Sequence, residues 1–232
     1  MSVQQEKFKK IADKIREKTK ESGLIAPNKF SSKIDDVYNA GYLKAYKECV
    51  SSFPTHTVIP DGITSLRNSL FYNTWGVESV YIPDSVERFA NGVFMNCYAL
   101  KETNIPPNVT QWGANMFHTA EVLEKITFKN ITPVIHFNNS NMTHKCAKLT
   151  TIIIEDGEIC LNWLFPNSPL SKESITTIIN HLSDNTTGLT AGFKKSAVDK
   201  AFETSDGALD GEMSDEWLRL ISTKTNWTIS LL

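Results

Sequence analysis

The chain has 232 residues, of which 41% are hydrophobic and 22% charged, so it can bury a core and is not expected to be disordered. Its 24 Lys and Arg residues against 26 Asp and Glu residues give a formal charge of −2, which argues against a broad basic surface for nucleic acid. No apolar run reaches the ~20 residues of a membrane-spanning helix, and no apolar stretch follows the N-terminal lysines as a secretory signal would require. The sequence therefore predicts a folded, near-neutral chain with no nucleic-acid partner and no membrane insertion.

Residues 1–50 are predicted to be helical. Ile11 and Ile15 share one face at helical spacing, Pro27 ends that run, and a second helix follows with Ile34 on its apolar face. We expect a helical leader, which could cap the open end of a stacked array, self-associate, or attach the chain to another protein.

An internal repeat with a step of 23 residues comes next. Ile-Pro-Asp at 59–61 recurs at 82–84, and Ile-Pro-Pro stands at 105–107. Apolar columns keep the same step: Ile63, Val86 and Val109; Leu66, Phe89 and Trp112; Phe71, Phe94 and Phe117; Val77, Leu100 and Leu123. A unit of this size cannot bury its own apolar side, so stacked neighbours must close a shared core.

Each unit is predicted to contribute one short strand to a parallel sheet. Val80 and Ile82 flank an outward Tyr81, and the proline that follows ends the strand. The phenylalanine column should fill the interior opposite the strands. A fourth unit carries three extra residues, because Ile152 matches Ile126 only after that shift. The predicted fold class is an α/β repeat solenoid, with the rod over residues 51–165.

Residues 166–232 are predicted to form an α+β C-terminal cap. Ser168 or Ser171 can cap a first helix, Ser214 starts a last helix, and a strand at 226–229 closes the chain.

The repeat unit I-P-x-x-(I/V)-x-x-(L/F/W)-x-x-x-(L/V/M)-F-x-x-x-x-x-(V/L) resembles the BspA-type leucine-rich repeats of bacterial surface and phage proteins, over roughly residues 58–165. The stretch at 11–19, followed by Ile-Ala-Pro at 25–27, resembles the leader helix of prophage tail and minor structural proteins. The Ser-Pro-Leu-Ser-Lys-Glu-Ser-Ile run at 168–175 and the final Asn-Trp-Thr-Ile resemble the C-terminal cap of phage-encoded repeat proteins.

These resemblances imply a non-enzymatic phage tail or virion protein that binds a host-surface protein or glycan. Residues 1–50 would then attach the chain to other tail or baseplate proteins or make it a homo-oligomer. The location implied is the virion, or a prophage-encoded soluble protein. The alternative is an adhesion or protein-interaction module of the bacterial cell surface, and a third interpretation is a glycan-acting enzyme on the same scaffold.

Catalytic and cofactor motifs are missing from the sequence. It contains no G-x-x-x-x-G-K-[ST] loop, no H-E-x-x-H and no G-x-S-x-G, so neither an enzyme nor a cofactor is expected. His136, His144 and Cys146 come closest to a metal-binding set, but their spacing fits no zinc pattern. Cys97 and Cys146 instead share a column of small side chains with Thr74, which predicts core packing.

The outward strand positions are the first candidate binding surface. They form two ladders, Ser79, Glu102, Lys125 and Thr151, and Tyr81, Asn104, Thr127 and Ile153. Six of them are the candidate site residues: Ser79, Tyr81, Glu102, Asn104, Lys125 and Thr127. Such side chains suit hydrogen bonding to a protein or glycan, although an exposed strand face needs polar residues whether or not it binds anything. Trp75 and Tyr98 share another non-core column and form the second candidate patch.

Overall fold

A computed structural model gives the structure of the chain and describes residues 55–131, 142–203 and 214–232. The predicted leader, residues 1–50, and His136 lie outside these ranges. The strands are β1 (His56–Val58), β2 (Ser65–Leu66), β3 (Ser79–Tyr81), β4 (Arg88–Phe89), β5 (Glu102–Ile105), β6 (Lys125–Phe128), β7 (Thr151–Ile154), β8 (Trp163–Phe165), β9 (Leu189–Phe193) and β10 (Trp227–Leu231). The helices are α1 (Lys172–Asn180), α2 (Lys195–Ala201) and α3 (Asp215–Ser222). No helix within the described ranges has the length and apolar character to span a bilayer.

The main sheet has five parallel strands in the order β1-β3-β5-β6-β7. Glu102 pairs with Lys125, 23 residues further on, and Lys125 pairs with Thr151, 26 residues further on. The predicted solenoid fold is confirmed, and so are the repeat step and the three extra residues of the fourth unit. A second, two-stranded parallel sheet of β2 and β4 runs along another side of the same turns.

The core is a stack of phenylalanine rings opposite the main sheet. The ring centroids of Phe71 and Phe94 lie 5.3 Å apart with an interplanar angle of 7°. Those of Phe94 and Phe117 are also 5.3 Å apart, at 4°. Because identical residues recur in register, each ring stacks on the equivalent ring of the next turn, as the sequence predicts. Cys97 and Cys146 are buried beside this stack.

Left-handed backbone recurs at two corners of the described turns, which the sequence pattern does not predict. The positive φ angles fall in two columns: Ser69, Gly92 and Asn115 in one, and Asn73, Asn96, Thr119 and Lys145 in the other. Glycine and asparagine tolerate this region, whereas threonine and lysine rarely adopt it. The stacked neighbouring turns therefore impose the left-handed backbone at these corners, even where the residue does not favour it.

The C-terminal part continues the parallel stacking with helices between its strands. Its sheet has the order β10-β9-β8, and Phe165 pairs in register with Phe193, the two rings lying 6.2 Å apart at 8°. The hydroxyl of Ser171 caps α1 by accepting from the N–H of Ser174, and Ser214 caps α3 in the same way. This part combines helices and strands, as the sequence predicts.

The last strand of the main sheet, β7, is closed by α1. The N–H of Ile152 donates to Oγ of Ser174 at 2.9 Å, and that hydroxyl donates to the carbonyl of Thr150 at 2.9 Å. The N–H of Ser171 donates to the same carbonyl. The Ser174 hydroxyl thus provides the donor and the acceptor that a further parallel strand would provide. Another chain therefore cannot pair with β7 at these two backbone groups.

Candidate functional site

The outward faces of β3, β5 and β6 form a shallow concavity of about 180 Å³. It is lined by Ser79, Val80, Tyr81, Glu102, Thr103, Asn104, Lys125 and Thr127. All six strand-face candidates therefore line one depression, because the 23-residue register stacks equivalent outward positions on successive turns.

Tyr81 provides the exposed aromatic surface of this concavity. Its side chain is 47% exposed, and Nζ of Lys129 lies 3.3 Å from its hydroxyl but 5.3 Å from its ring centroid. The lysine therefore meets the hydroxyl edge of the ring, and its contact is a hydrogen bond more than a cation–π interaction. The same Nζ donates to Oδ1 of Asp84 at 2.6 Å, and this bond is the main reason why the pKa of Lys129 lies above its ordinary value.

Asn104 also bonds the backbone of the preceding turn, which the sequence pattern does not indicate. Its Oδ1 accepts from the N–H of Ile82 at 2.8 Å, and its Nδ2 donates to the carbonyl of Ile82 at 2.7 Å. The side chain thus replaces a backbone pair between β3 and β5, whose ladder is recorded only from Ser79 to Val80. Asn104 lines the concavity, but its first role is to hold two turns together.

The charged pair of the concavity is loosely held. Nζ of Lys125 and Oε2 of Glu102 are 4.0 Å apart, and both side chains are about half exposed. Exposed pairs at such distances contribute little free energy, so both groups can reorient towards a ligand. Ser79 is already engaged, because its Oγ lies 2.8 Å from Nδ1 of His56 on the neighbouring strand. Thr127 faces outward opposite Asn104, two residues after Lys125, and is half-buried.

The second candidate patch is an aromatic pair that the structure also brings together. The rings of Trp75 and Tyr98 stack with centroids 4.2 Å apart and an interplanar angle of 25°. Trp75 is 74% exposed. Neither residue lines the concavity of the strand face. Trp112, by contrast, packs against the core near Phe89 and Phe128, as its inward column predicts.

Among the described residues, no group of three His, Cys, Asp or Glu side chains could hold a metal ion. The thiol of Cys146 donates to the carbonyl of Phe117 in the core, whereas His144 packs against His118 with ring centroids 4.9 Å apart. Burial raises the pKa of the Cys97 and Cys146 thiols to about 12, so neither is an activated nucleophile.

Solved structures of three leucine-rich repeat proteins are similar to parts of this chain. A leucine-rich repeat protein from Eubacterium ventriosum is 16% identical over 47% of this chain and 33% of its own, with a TM-score of 0.33. A leucine rich cell surface protein from Faecalibacterium prausnitzii is 17% identical over 73% of this chain and 63% of its own, also with a TM-score of 0.33. The T. pallidum leucine rich repeat protein is 13% identical over 47% of this chain and 76% of its own, with a TM-score of 0.25.

The chain thus spans a third of the first of these structures and under two thirds of the second. No curated protein matches the sequence. The model of the BspA type leucine rich repeat region matches residues 43–150 in six copies, beginning earlier and ending earlier than the repeat pattern alone indicates. Residues 43–150 are therefore similar to the BspA-type leucine-rich repeats.

Proposed function

We propose that the chain is a non-enzymatic receptor-binding or structural protein of a phage tail, and that its strand-face concavity binds a host-surface protein or glycan. The observation that carries this proposal is the convergence of side chains from three successive turns on one depression. An exposed aromatic ring, a loosely held Lys–Glu pair and an outward threonine give it both apolar and hydrogen-bonding surface.

In this proposal the three parts of the chain divide the work. Residues 1–50 attach it to other tail or baseplate proteins or assemble it into a homo-oligomer, residues 51–165 present the recognition face, and residues 166–232 close the rod. The resemblance of residues 11–19 and of the run at 168–175 to prophage proteins supports a location in the virion. Light scattering of the full chain measures the oligomer directly.

The second candidate is an adhesion or protein-interaction module on the bacterial cell surface. The BspA-type match over residues 43–150 supports this function as well as it supports the first. The two differ in the genes expected next to this one. Genes for tape-measure or baseplate proteins favour the tail protein, whereas genes for a secretion or sortase system favour the surface module.

A cell-binding assay tests the concavity in either case. Tyr81→Ala and Lys125→Ala are compared with the full-length chain for binding to intact host cells, and Lys148→Ala, an exposed lysine outside the concavity, is the matched control. We expect Tyr81→Ala to weaken binding at least about tenfold, which is a loss of ~1.4 kcal/mol. Truncation of a central aromatic contact typically costs more than this. Lys125→Ala should weaken it less, and Lys148→Ala not at all. Unaltered binding of both concavity variants, with unchanged thermal unfolding, would show that this surface is not the binding site.

A further inference from the structure

Trp75 is far more exposed than the other tryptophans. Its exposed fraction, 74%, is the highest among the large hydrophobic side chains of the described residues, whereas Trp163, Trp217 and Trp227 are each less than 8% exposed. Trp112 is half-buried against the core. All five tryptophans of the sequence lie within the described residues. Exposure of an indole to water is unfavourable in free energy, and burial in the core would remove that penalty. The exposed position of Trp75 therefore requires an explanation.

The indole is also held in one orientation. Tyr98, its equivalent on the next turn, covers one of its faces at 4.2 Å, which leaves the other face open. The preceding corner is fixed, because Nδ2 of Asn96 donates to Oδ1 of Asn73 at 3.1 Å and both residues adopt positive φ angles. Thr74, between corner and indole, is buried. A ligand would therefore meet a preorganised ring and would not have to order it.

The size of this surface selects the kind of ligand. An aromatic side chain offers at most about 250 Å², so 74% exposure leaves less than about 200 Å² of indole surface. A stable protein partner needs about 800 Å² on each side, several times more than this ring presents. The space next to it is open, since a Cβ built on Gly76 would meet no atom within 4 Å. A single small ring can be covered by the indole alone, whereas a protein partner would need contacts well beyond it.

The charges around the platform disfavour an anionic ligand. Glu78, three residues after Trp75, is paired with Lys101 at 2.8 Å. In the column of Trp75 and Tyr98, the next turn places the exposed Glu121, which would repel an anionic ligand. An uncharged ring with an apolar face and a polar rim can stack on the indole without being repelled by Glu121. Hexopyranoses have that shape. We infer that Trp75 and Tyr98 form a stacking platform for an uncharged pyranose ring, separate from the strand-face concavity.

Tryptophan fluorescence tests this inference on the full chain, because Trp75 is the tryptophan most accessible to iodide. The probes are chitotetraose, maltotetraose and cellotetraose at millimolar concentration, with hexaproline and AMP as non-saccharide comparisons. We expect at least one saccharide to reduce the iodide quenching constant about twofold, whereas hexaproline and AMP should leave it unchanged. The inference is refuted if no saccharide reduces the quenching constant, or if hexaproline or AMP reduces it instead.

Saturation-transfer NMR with the shielding saccharide then locates the contact. Trp75→Ala should abolish the transfer, and Trp75→Phe, which keeps a ring stacked on Tyr98, should retain part of it. Leu218→Ala, at another exposed hydrophobic residue on α3, is the matched control and should leave the transfer unchanged. Tyr81→Ala separates this site from the concavity: transfer that survives it supports a separate platform, and transfer that it abolishes contradicts one. Transfer that persists in a folded Trp75→Ala variant also overturns the inference.

Discussion

Replacement of Gly113 by alanine tests how closely successive turns approach each other. A Cβ at this position would lie 2.1 Å from both the carbonyl carbon and the oxygen of Ala90, and 2.4 Å from the backbone nitrogen of Asn91. Gly76→Ala is the matched control, because the same methyl group would meet nothing within 4 Å there. Neither glycine has the positive φ that would add backbone strain, so the pair of variants isolates the effect of space.

The expected cost follows from the distances. Non-bonded carbon atoms pack at about 3.5–4.0 Å, so the turns carrying Gly113 and Ala90 would have to separate by more than 1 Å. Overpacking costs typically about 1–3 kcal/mol, and the obstacle here is backbone, which cannot move aside as a flexible side chain does. We therefore expect Gly113→Ala to lower the free energy of unfolding by about 3 kcal/mol. Gly76→Ala should be neutral or stabilise by up to about 1 kcal/mol, because it restricts the unfolded chain.

Urea unfolding followed by tryptophan fluorescence measures both variants. In a chain of this length each kcal/mol shifts Tm by about 2–4 °C, so Gly113→Ala should also melt about 6–12 °C below the parent chain. A Gly113→Ala variant within about 0.5 kcal/mol of the parent would refute the reasoning, since changes of that size are ordinary for surface sites. An equal loss in Gly76→Ala would refute it too, because the cost would then not come from the contact with Ala90.

Two further predictions concern the end of the sheet and the response to acid. Ser174→Ala removes the hydroxyl that closes the edge of β7 and should cost about 1–3 kcal/mol in urea unfolding, whereas Ser196→Ala, on the exposed side of α2, should cost almost nothing; equal losses would contradict this role. Burial, and then the charges of His144 and Lys145, lower the pKa of His118. Protonation therefore opposes folding, and stability should fall as pH drops below the unfolded value of about 6.5 and approaches the lower folded pKa. Plots of Tm against pH should be flatter for His118→Gln than for the parent, and parallel plots would rule out this effect.

The sequence predicts the stacked part of the fold well, because its physics repeats. A buried strand residue such as Ile126 must lie over its equivalent in the next turn, so spacing alone predicts the register with Ile152. The same argument predicts the stacked rings of Phe94 and Phe117. It also places the outward residues on one face, and for this reason the six strand-face candidates line a single concavity.

The features that the sequence does not predict depend on the contacts of single side chains and on strands that do not follow the 23-residue spacing. The bonds from Asn104 to Ile82 could not be predicted, because an outward asparagine looks the same whether it meets solvent or backbone. Thr119 and Lys145 adopt left-handed backbone against their own preference, since their stacked neighbours impose it. The C-terminal strands pair Trp163 with Ala191 and Leu189 with Trp227, spacings that inserted helices make unequal and that no repeat count detects.

The closure of β7 by Ser174 makes the two directions along the rod chemically different. On β7 the hydroxyl bonds only the backbone of Thr150 and Ile152, which every turn presents in the same form whatever its side chains are. The terminator is therefore indifferent to how many turns precede it. Whole 23-residue units could therefore be added or removed without changing how this end of the sheet is closed, and the length of the rod would change with them.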